Sequence, residues 1–440
     1  MTSLKPSYAL SSRWIRGLLL LTLLLLQASL SVVLAQAPIT VTSQVEAQFP
    51  SAITFTLSAT SQSPITSAVL RYRLERISCF EEIVDRHLDF SPSPEVQTSW
   101  TLDMRKIGGL PTGTRLHYQW LIEDADGNKH VTPEETLRFE DTRYPWRSRK
   151  EGMVTLHWYQ GDDAFASRLM TAARSALDRL GRDTGTRLEH PVELYIYEST
   201  AALRQARIFP QAWEGGVAFP SYGLVAIGVA PEQLDWGEGA VAHELAHLGV
   251  YQMSFNCYQD LPTWLNEGLA TYAEGDATPD QRARLQGAIV ANSLISVKSL
   301  SSSFPADPQQ ALLSYAQSRS LVAFLIQDYG QDRLLELVDS LRRGHTYDEA
   351  LLQTYGFDTQ GLGMAWRQSI GAPPPPTPAT LTPAPATPAP PPPTPAPTPA
   401  PAPAATPTPE PAATPTPEPA ATPTPQPPTS GGFSCARGGE

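Results

Sequence analysis

The sequence predicts a mixed α+β domain, preceded by a small all-β sandwich and followed by a tail that cannot pack. Three observations lead there. Short segments of alternating polarity crowd the early part of the chain, and amphipathic helical segments dominate the middle. Of the 44 prolines, 27 lie between Pro373 and Pro428.

Residues 1–35 carry Lys5, Arg13 and Arg16 and no acid, then an apolar run from Leu18 to Leu26, and end in Val33-Leu34-Ala35. A basic start, an apolar middle and a small-residue exit describe a secretory signal peptide cut after Ala35. An uncleaved membrane anchor is the rival reading, since apolar character extends to Leu34 and nearly reaches spanning length. The expectation is an exported chain, secreted or held in the extracytoplasmic envelope, with no stable membrane insertion after cleavage.

Residues 36–146 read as strands. Ile53 to Leu57 alternates, as do Ala68 to Arg73 and Leu116 to Ile122. The last runs into Asp124-Ala125-Asp126-Gly127-Asn128, a turn in which Gly127 can take positive φ. Short strands with Pro, Gly and Ser punctuation suggest a β-sandwich of the immunoglobulin or fibronectin type III kind. It carries no ligand cluster or nucleophile constellation, so a spacer or binding module is expected.

Residues 147–371 mix periods. Strands are expected at Met153 to Tyr159, Val192 to Tyr197 and Leu224 to Val229, with a helix at Asp163 to Leu180. Helices then follow at Glu238 to Met253, Thr263 to Glu274, Pro279 to Asn292, Gln310 to Asp328 and Gln331 to Arg343. A small sheet followed by packed helices is an α+β layout.

Residues 372–430 are almost wholly Pro, Ala and Thr, with an eight-residue repeat starting at Ala404 and Ala412 and recurring at Ala420 with Gln426 replacing Glu. Such composition favours extended polyproline II, a disordered linker or a stalk that could associate with the cell envelope. The short tail 431–440 holds Cys435 and no hydrophobic anchor.

Removing the signal and its three cations takes the formal charge from −12 to −15. That excludes a nucleic-acid partner, which needs clustered Lys and Arg. Three cysteines, Cys79, Cys257 and Cys435, cannot all pair internally; Cys79 with Cys257 is the pairing to test.

The informative stretch is Val241-Ala242-His243-Glu244-Leu245-Ala246-His247. Histidines four apart on a helix share a face, so both imidazoles can reach one metal ion. Glu244 is offset by about 100°, where it can meet a water without being a ligand. Hydrolysis needs both parts: a metal to acidify water, and a carboxylate to take its proton and deliver it to the leaving group. The following segment reads Leu261-Pro262-Thr263-Trp264-Leu265-Asn266-Glu267-Gly268-Leu269-Ala270. Asp260 or Thr263 can cap this helix, and Pro262 suits its first turn. A hydrolytic zinc site keeps three protein ligands and one open position, and Glu267 is the best third ligand.

His-Glu-x-x-His followed by Trp-Leu-Asn-Glu-Gly-Leu-Ala resembles the gluzincin metallopeptidases, most of all the branch of zinc aminopeptidases and peptidase MA-like domains. The resemblance implies a thermolysin-like zinc-peptidase fold over residues 147–371. It implies one zinc ion per chain on His243, His247 and Glu267, with Glu244 as general base. Leu313-Ser314-Tyr315-Ala316-Gln317-Ser318 is similar to the aminopeptidase segment whose tyrosine stabilises the oxyanion, which implies that role for Tyr315. Metzincins are excluded, because Val250 and Met253 stand where they need Gly and His.

Two departures matter. Nineteen residues separate His247 from Glu267, one more than in the aminopeptidases. No Gly-x-Met-Glu-Asn stretch supplies a glutamate for a free amino terminus; Gly215-Gly216-Val217-Ala218-Phe219-Pro220 takes its place as an edge strand that could pair with an extended substrate. An endopeptidase acting on a peptide or protein is therefore favoured over an aminopeptidase. The alternative is a catalytically silent domain kept as an envelope binding or scaffold module.

Other residues have plainer readings. Tyr251 packs, and His157 and His190 are structural. Cys257 as a fourth ligand would close the site to water. Glu274, two turns after Glu267, is either a support for a ligand or a surface charge.

Overall fold

The computed structural model describes residues 39–210 and 215–375. The expected signal segment, most of the Pro-rich tail and Cys435 lie outside the described residues. The chain is mixed α+β, β-rich at its N-terminal side and helical toward its C-terminal side. It divides into two compact units, of which the first reaches Tyr144 and also holds Ala206–Phe209.

Seven strands build the first unit: β1 (Thr40–Gln48), β2 (Ala52–Leu74), β3 (Val84–His87), β4 (Ser93–Asp103), β5 (Thr114–Asp124), β6 (Lys129–Val131) and β7 (Glu135–Phe139). Period-2 alternation sends Ile53, Phe55, Leu57 and Ala59 to the buried face of β2. The two strands expected at 53–57 and 68–73 are halves of this one strand. Its first half pairs antiparallel with β1 and β4, its second with β3 and β5. The register breaks between Thr60 and Ile65, where Pro64 has no N–H to give a ladder. What reads as turn punctuation marks a change of partners instead. Gly127 does take positive φ, at 79°, in a turn whose Asp126 and Asn128 N–H groups donate to Asp124 Oδ1.

The second unit opens with β8 (Arg147–Glu151), β9 (Val154–Trp158), α1 (Asp163–Asp183), β10 (Val192–Tyr197), α2 (Thr200–Gln205), β11 (Gly216–Phe219) and β12 (Leu224–Gly228). Its sheet runs β11-β12-β10-β9-β8. The three central strands are parallel, and β11 and β8 close the two sides antiparallel. Asp162 caps α1 by accepting from Phe165 N at 2.8 Å. Phe165, Ala166, Leu169, Met170, Ala173, Ala176 and Leu180 form its buried stripe, at the three-to-four spacing of an amphipathic helix.

Eight further helices follow: α3 (Leu234–Ser254), α4 (Thr263–Ala273), α5 (Pro279–Val290), α6 (Val297–Leu300), α7 (Pro308–Tyr329), α8 (Gln331–Arg342), α9 (Tyr347–Tyr355) and α10 (Thr359–Ser369). One core joins the sheet to α1 and α3 through Leu156, Leu194, Ile227, Leu169 and Leu245. A second lies among the helices, around Trp264, Leu265, Leu269, Leu321, Leu325, Leu337 and Trp366. Each such large side chain contributes about 1.5–3 kcal/mol by leaving water. Between these cores sits a cluster of five alanines and one leucine, Ala176 and Leu180 of α1, Ala242 and Ala246 of α3, Ala270 and Ala273 of α4. No helix among the described residues is long and apolar enough to cross a membrane.

Candidate metal centre

Helix α3 is apolar almost all round, and every residue from Ala240 to Val250 is buried. A helix of that kind belongs inside a protein rather than on it. His243, Glu244 and His247 are therefore polar groups enclosed by packing, which is costly unless they are hydrogen-bonded, paired or coordinate a metal. The two imidazoles lie one turn apart with ring centroids 4.9 Å from each other.

Glu267 arrives on α4. Trp264, Leu265 and Leu269 of that helix go into the helical core, and Glu267 is buried as well. Neither Asp260 nor Thr263 caps the helix. Pro262 occupies the cap position without a side-chain bond, and its carbonyl accepts from Leu265 N at 2.9 Å and Asn266 N at 3.1 Å. Thr263 is already helical, so its hydroxyl stands one residue too late to cap. Gly268 explains how α7 comes near: a Cβ there would lie 2.5 Å from the Ser318 carbonyl oxygen.

The structure brings His243, His247 and Glu267 together, with one donor atom of each within 4.8 Å of the others. Glu267 Oε2 is 3.5 Å from His243 Nε2 and 3.6 Å from His247 Nε2. A tetrahedron with metal–ligand bonds of about 2.1 Å has edges of about 3.4 Å, so two imidazoles and a carboxylate at this spacing fit the donor set of a zinc ion. His243 Nδ1 lies 2.7 Å from Glu274 Oε1, so Glu274 is the partner of a candidate ligand rather than a free surface charge. Donation by Nδ1–H leaves the Nε2 lone pair toward Glu267. Burial pushes the Glu274 carboxyl above its ordinary range, opposed by the hydrogen bond and charge of His243 and by the charge of Arg319.

Glu244 is 2% exposed and abuts the sheet. A Cβ on Gly216 would come within 2.8 Å of Glu244 Oε1 and 3.2 Å of its Cγ. Gly216 begins β11, the terminal strand, which pairs with β12 from Gly216 to Phe219. The expected edge strand at 215–220 thus lies against the carboxylate. Nothing in a single sequence reports this approach, although the Gly215-Gly216 pair hints at close backbone contact.

Tyr315 stands on α7, buried, with its ring 6.2 Å from that of His243 and 5.0 Å from that of Phe304. Cys257 is disulfide-bonded, as is Cys79, so its sulfur is not a metal ligand. Tyr251 packs on Phe255 with centroids 5.3 Å apart. His157 stacks on Tyr195 and meets Glu193 Oε2 at 2.8 Å, and the His190 N–H donates to Gln252 Oε1.

No curated protein matches the chain. Among solved structures, the ApaA protein from Bordetella pertussis is 12% identical, covering 24% of this chain and 94% of its own, with a TM-score of 0.18. A polysaccharide deacetylase from Bacillus anthracis is 10% identical over 36% of this chain and 52% of its own, with a TM-score of 0.19. One from Bacillus cereus is 10% identical over 39% and 54%, with a TM-score of 0.18. The chain spans about half the length of these two deacetylases, and scores of this size establish no common fold. The family comparison is different in kind. The model described as peptidase MA superfamily matches residues 172–372, from within α1 to just past α10, so that both ligand helices, the edge strand and α7 fall inside it. That match is consistent with a gluzincin-like peptidase and points to a hydrolase acting on peptides or proteins. Residues 172–372, a little under half of the chain, match the peptidase MA superfamily.

Proposed function

We propose that the chain is an exported zinc-dependent metallopeptidase with one zinc ion per chain, held by His243, His247 and Glu267. The observation that carries the reading is the convergence of these three donors within 4.8 Å, with Glu244 on the same helix beside the edge strand. When bound, the zinc ion supplies Lewis-acid chemistry, polarising a carbonyl and acidifying water.

The chain's own residues do the rest. Glu244 takes the proton of the attacking water and returns it to the leaving amine. Gly216, with no Cβ, lets the β11 backbone come close to that carboxylate. The β11 backbone pairs with an extended substrate and sets its scissile bond alongside Glu244. Tyr315 donates its phenol hydrogen bond to the negative charge that develops on the carbonyl oxygen. Glu274 holds the His243 ring, fixing which nitrogen faces the cluster.

Endopeptidase action is favoured because β11 carries Gly216-Val217-Ala218-Phe219 and no acid to grip a free amino terminus. Export is supported by the basic and apolar character of residues 1–35 and by two disulfide-bonded cysteines, which need an oxidising compartment.

The test compares the mature chain with Glu244→Gln for zinc content and for cleavage of a mixed peptide library. Zinc near one per chain in both, with cleavage only by the parent, is the expected result. Internal cut positions would identify endo-action. Absence of zinc from the parent would sink the reading, and zinc without cleavage by the parent would turn it toward a scaffold.

A further inference from the structure

Glu274 is useful to His243 only while its carboxylate keeps one aim, and the turn that carries it is weakly closed from within. Helix α4 ends at Ala273, and Gly275 follows at φ 130°, a region that L side chains rarely enter. The Gly275 N–H makes a bond of 3.3 Å to Tyr272 O, at the long end of the useful range.

A second helix holds the carbonyl of the same residue. Arg319, one turn beyond Tyr315 on α7, donates from Nη2 to the Gly275 carbonyl at 2.7 Å. Its guanidinium carbon lies 5.6 Å from the centroid of the Tyr272 ring, within reach of a cation–π contact. Tyr272 is itself fastened, its hydroxyl donating to Asp183 Oδ2 of α1 at 3.1 Å. Asp183, Tyr272, Arg319, Gly275 and Glu274 thus form a continuous series from the end of α1 to the His243 ring, crossing three helices.

Burial works against the Arg319 charge, while Tyr272, Asp276 and Glu274 favour it. Partly burying a cation costs solvation free energy that its contacts must offset. Here its planar fork spans a carbonyl and an aromatic face, a task that a flexible ammonium performs less well.

We propose that Arg319 is a positioning residue for the metal centre: by holding the Gly275 carbonyl it fixes Glu274, and through Glu274 the ring of His243. This rests on reading His243, His247 and Glu267 as metal ligands, and is independent of whether peptides are cleaved.

The test uses the full mature chain, Arg319→Gln, Arg319→Lys and Gly275→Ala. Zinc affinity is measured by competition with a chromophoric chelator, and the visible absorption of each cobalt-loaded chain is recorded. Melting temperatures are taken without metal. R319Q is expected to lower zinc affinity about tenfold and to shift the cobalt bands, with R319K recovering only part of the affinity. G275A approaches the same bond from its other end: the new side chain disfavours φ 130° and turns the carbonyl away from Arg319, with an equal loss of affinity. That variant carries the test should R319Q not fold. A folded R319Q or G275A with parental affinity and parental cobalt bands overturns the proposal. So does a loss of affinity that only tracks melting temperature across the set. A parent that binds zinc and cuts nothing sinks the peptidase reading while leaving this one standing.

Discussion

The Nδ1 atom of His243 on α3 lies 2.7 Å from Glu274 Oε1, although Glu274 stands just past the end of α4 and 31 positions along the chain. Groups of this kind set the tautomer and direction of a metal-binding imidazole. Their removal is felt at the metal even though they do not touch it.

Glu274→Ala is accordingly expected to lower zinc affinity by about 10- to 100-fold and to leave the helical core intact. Chelator competition on the purified variant checks this. Unchanged affinity would assign Glu274 a purely structural role.

Gly216→Ala adds one methyl group, placed 2.8 Å from Glu244 Oε1. Either β11 or the carboxylate has to move. Turnover on a peptide substrate should fall by roughly 10- to 100-fold, the scale of a misplacement near 1 Å, with zinc content unchanged. Parental turnover would show that the strand yields without cost.

A methyl group on Gly268 would meet backbone, the Ser318 carbonyl oxygen at 2.5 Å, which cannot rotate aside. Gly268→Ala should destabilise the second unit by about 1–3 kcal/mol, as overpacking does. Since Glu267 is the preceding residue, zinc affinity should fall in parallel. Thermal unfolding with and without zinc reads both effects.

In the first unit, the Asn128 side chain leads in holding the Asp124 carboxyl below its usual range, helped by Ser61 and the N–H groups of Asn128 and Asp126 and opposed by burial. A folded value below the unfolded one, near 3.9, means that the charged form binds better in the native state. The stabilisation is complete above about pH 4–5 and is lost as pH falls through the depressed folded value. Acid unfolding followed by circular dichroism should therefore be less pH-dependent below pH 4 in Asp124→Ala than in the parent. Equal slopes would remove Asp124 from the account.

The candidate ligands were legible because their spacing is local: four residues make one helical turn, and Glu267 follows in a distinctive helix. The strands at 192–197 and 224–228 and the helix starts at 163, 263, 279 and 331 agree with the expected periodicity. What escaped was non-local. The alternation at 53–57 and 68–73 belongs to a single strand, since pairing partners rather than punctuation decide where a strand ends. The pairing of Glu274 with His243, the approach of Gly216 to Glu244 and the reach of Arg319 to Gly275 depend on how separate elements pack. No pattern within one element encodes such distances. A glycine directly after Glu267 was the available sign of a close neighbour, without saying which helix it admits.

The seam of Ala242, Ala246, Ala270 and Ala273 gives the site a one-sided tolerance. Methyl groups already set the minimum separation between the two ligand helices, so substitution can push them apart but can hardly draw them together. Drift at these positions therefore acts in a single direction, widening the gap between His243 and Glu267. If the three side chains hold a metal, a chain that has lost it by this route would recover it through a smaller residue in the seam, not through a new ligand.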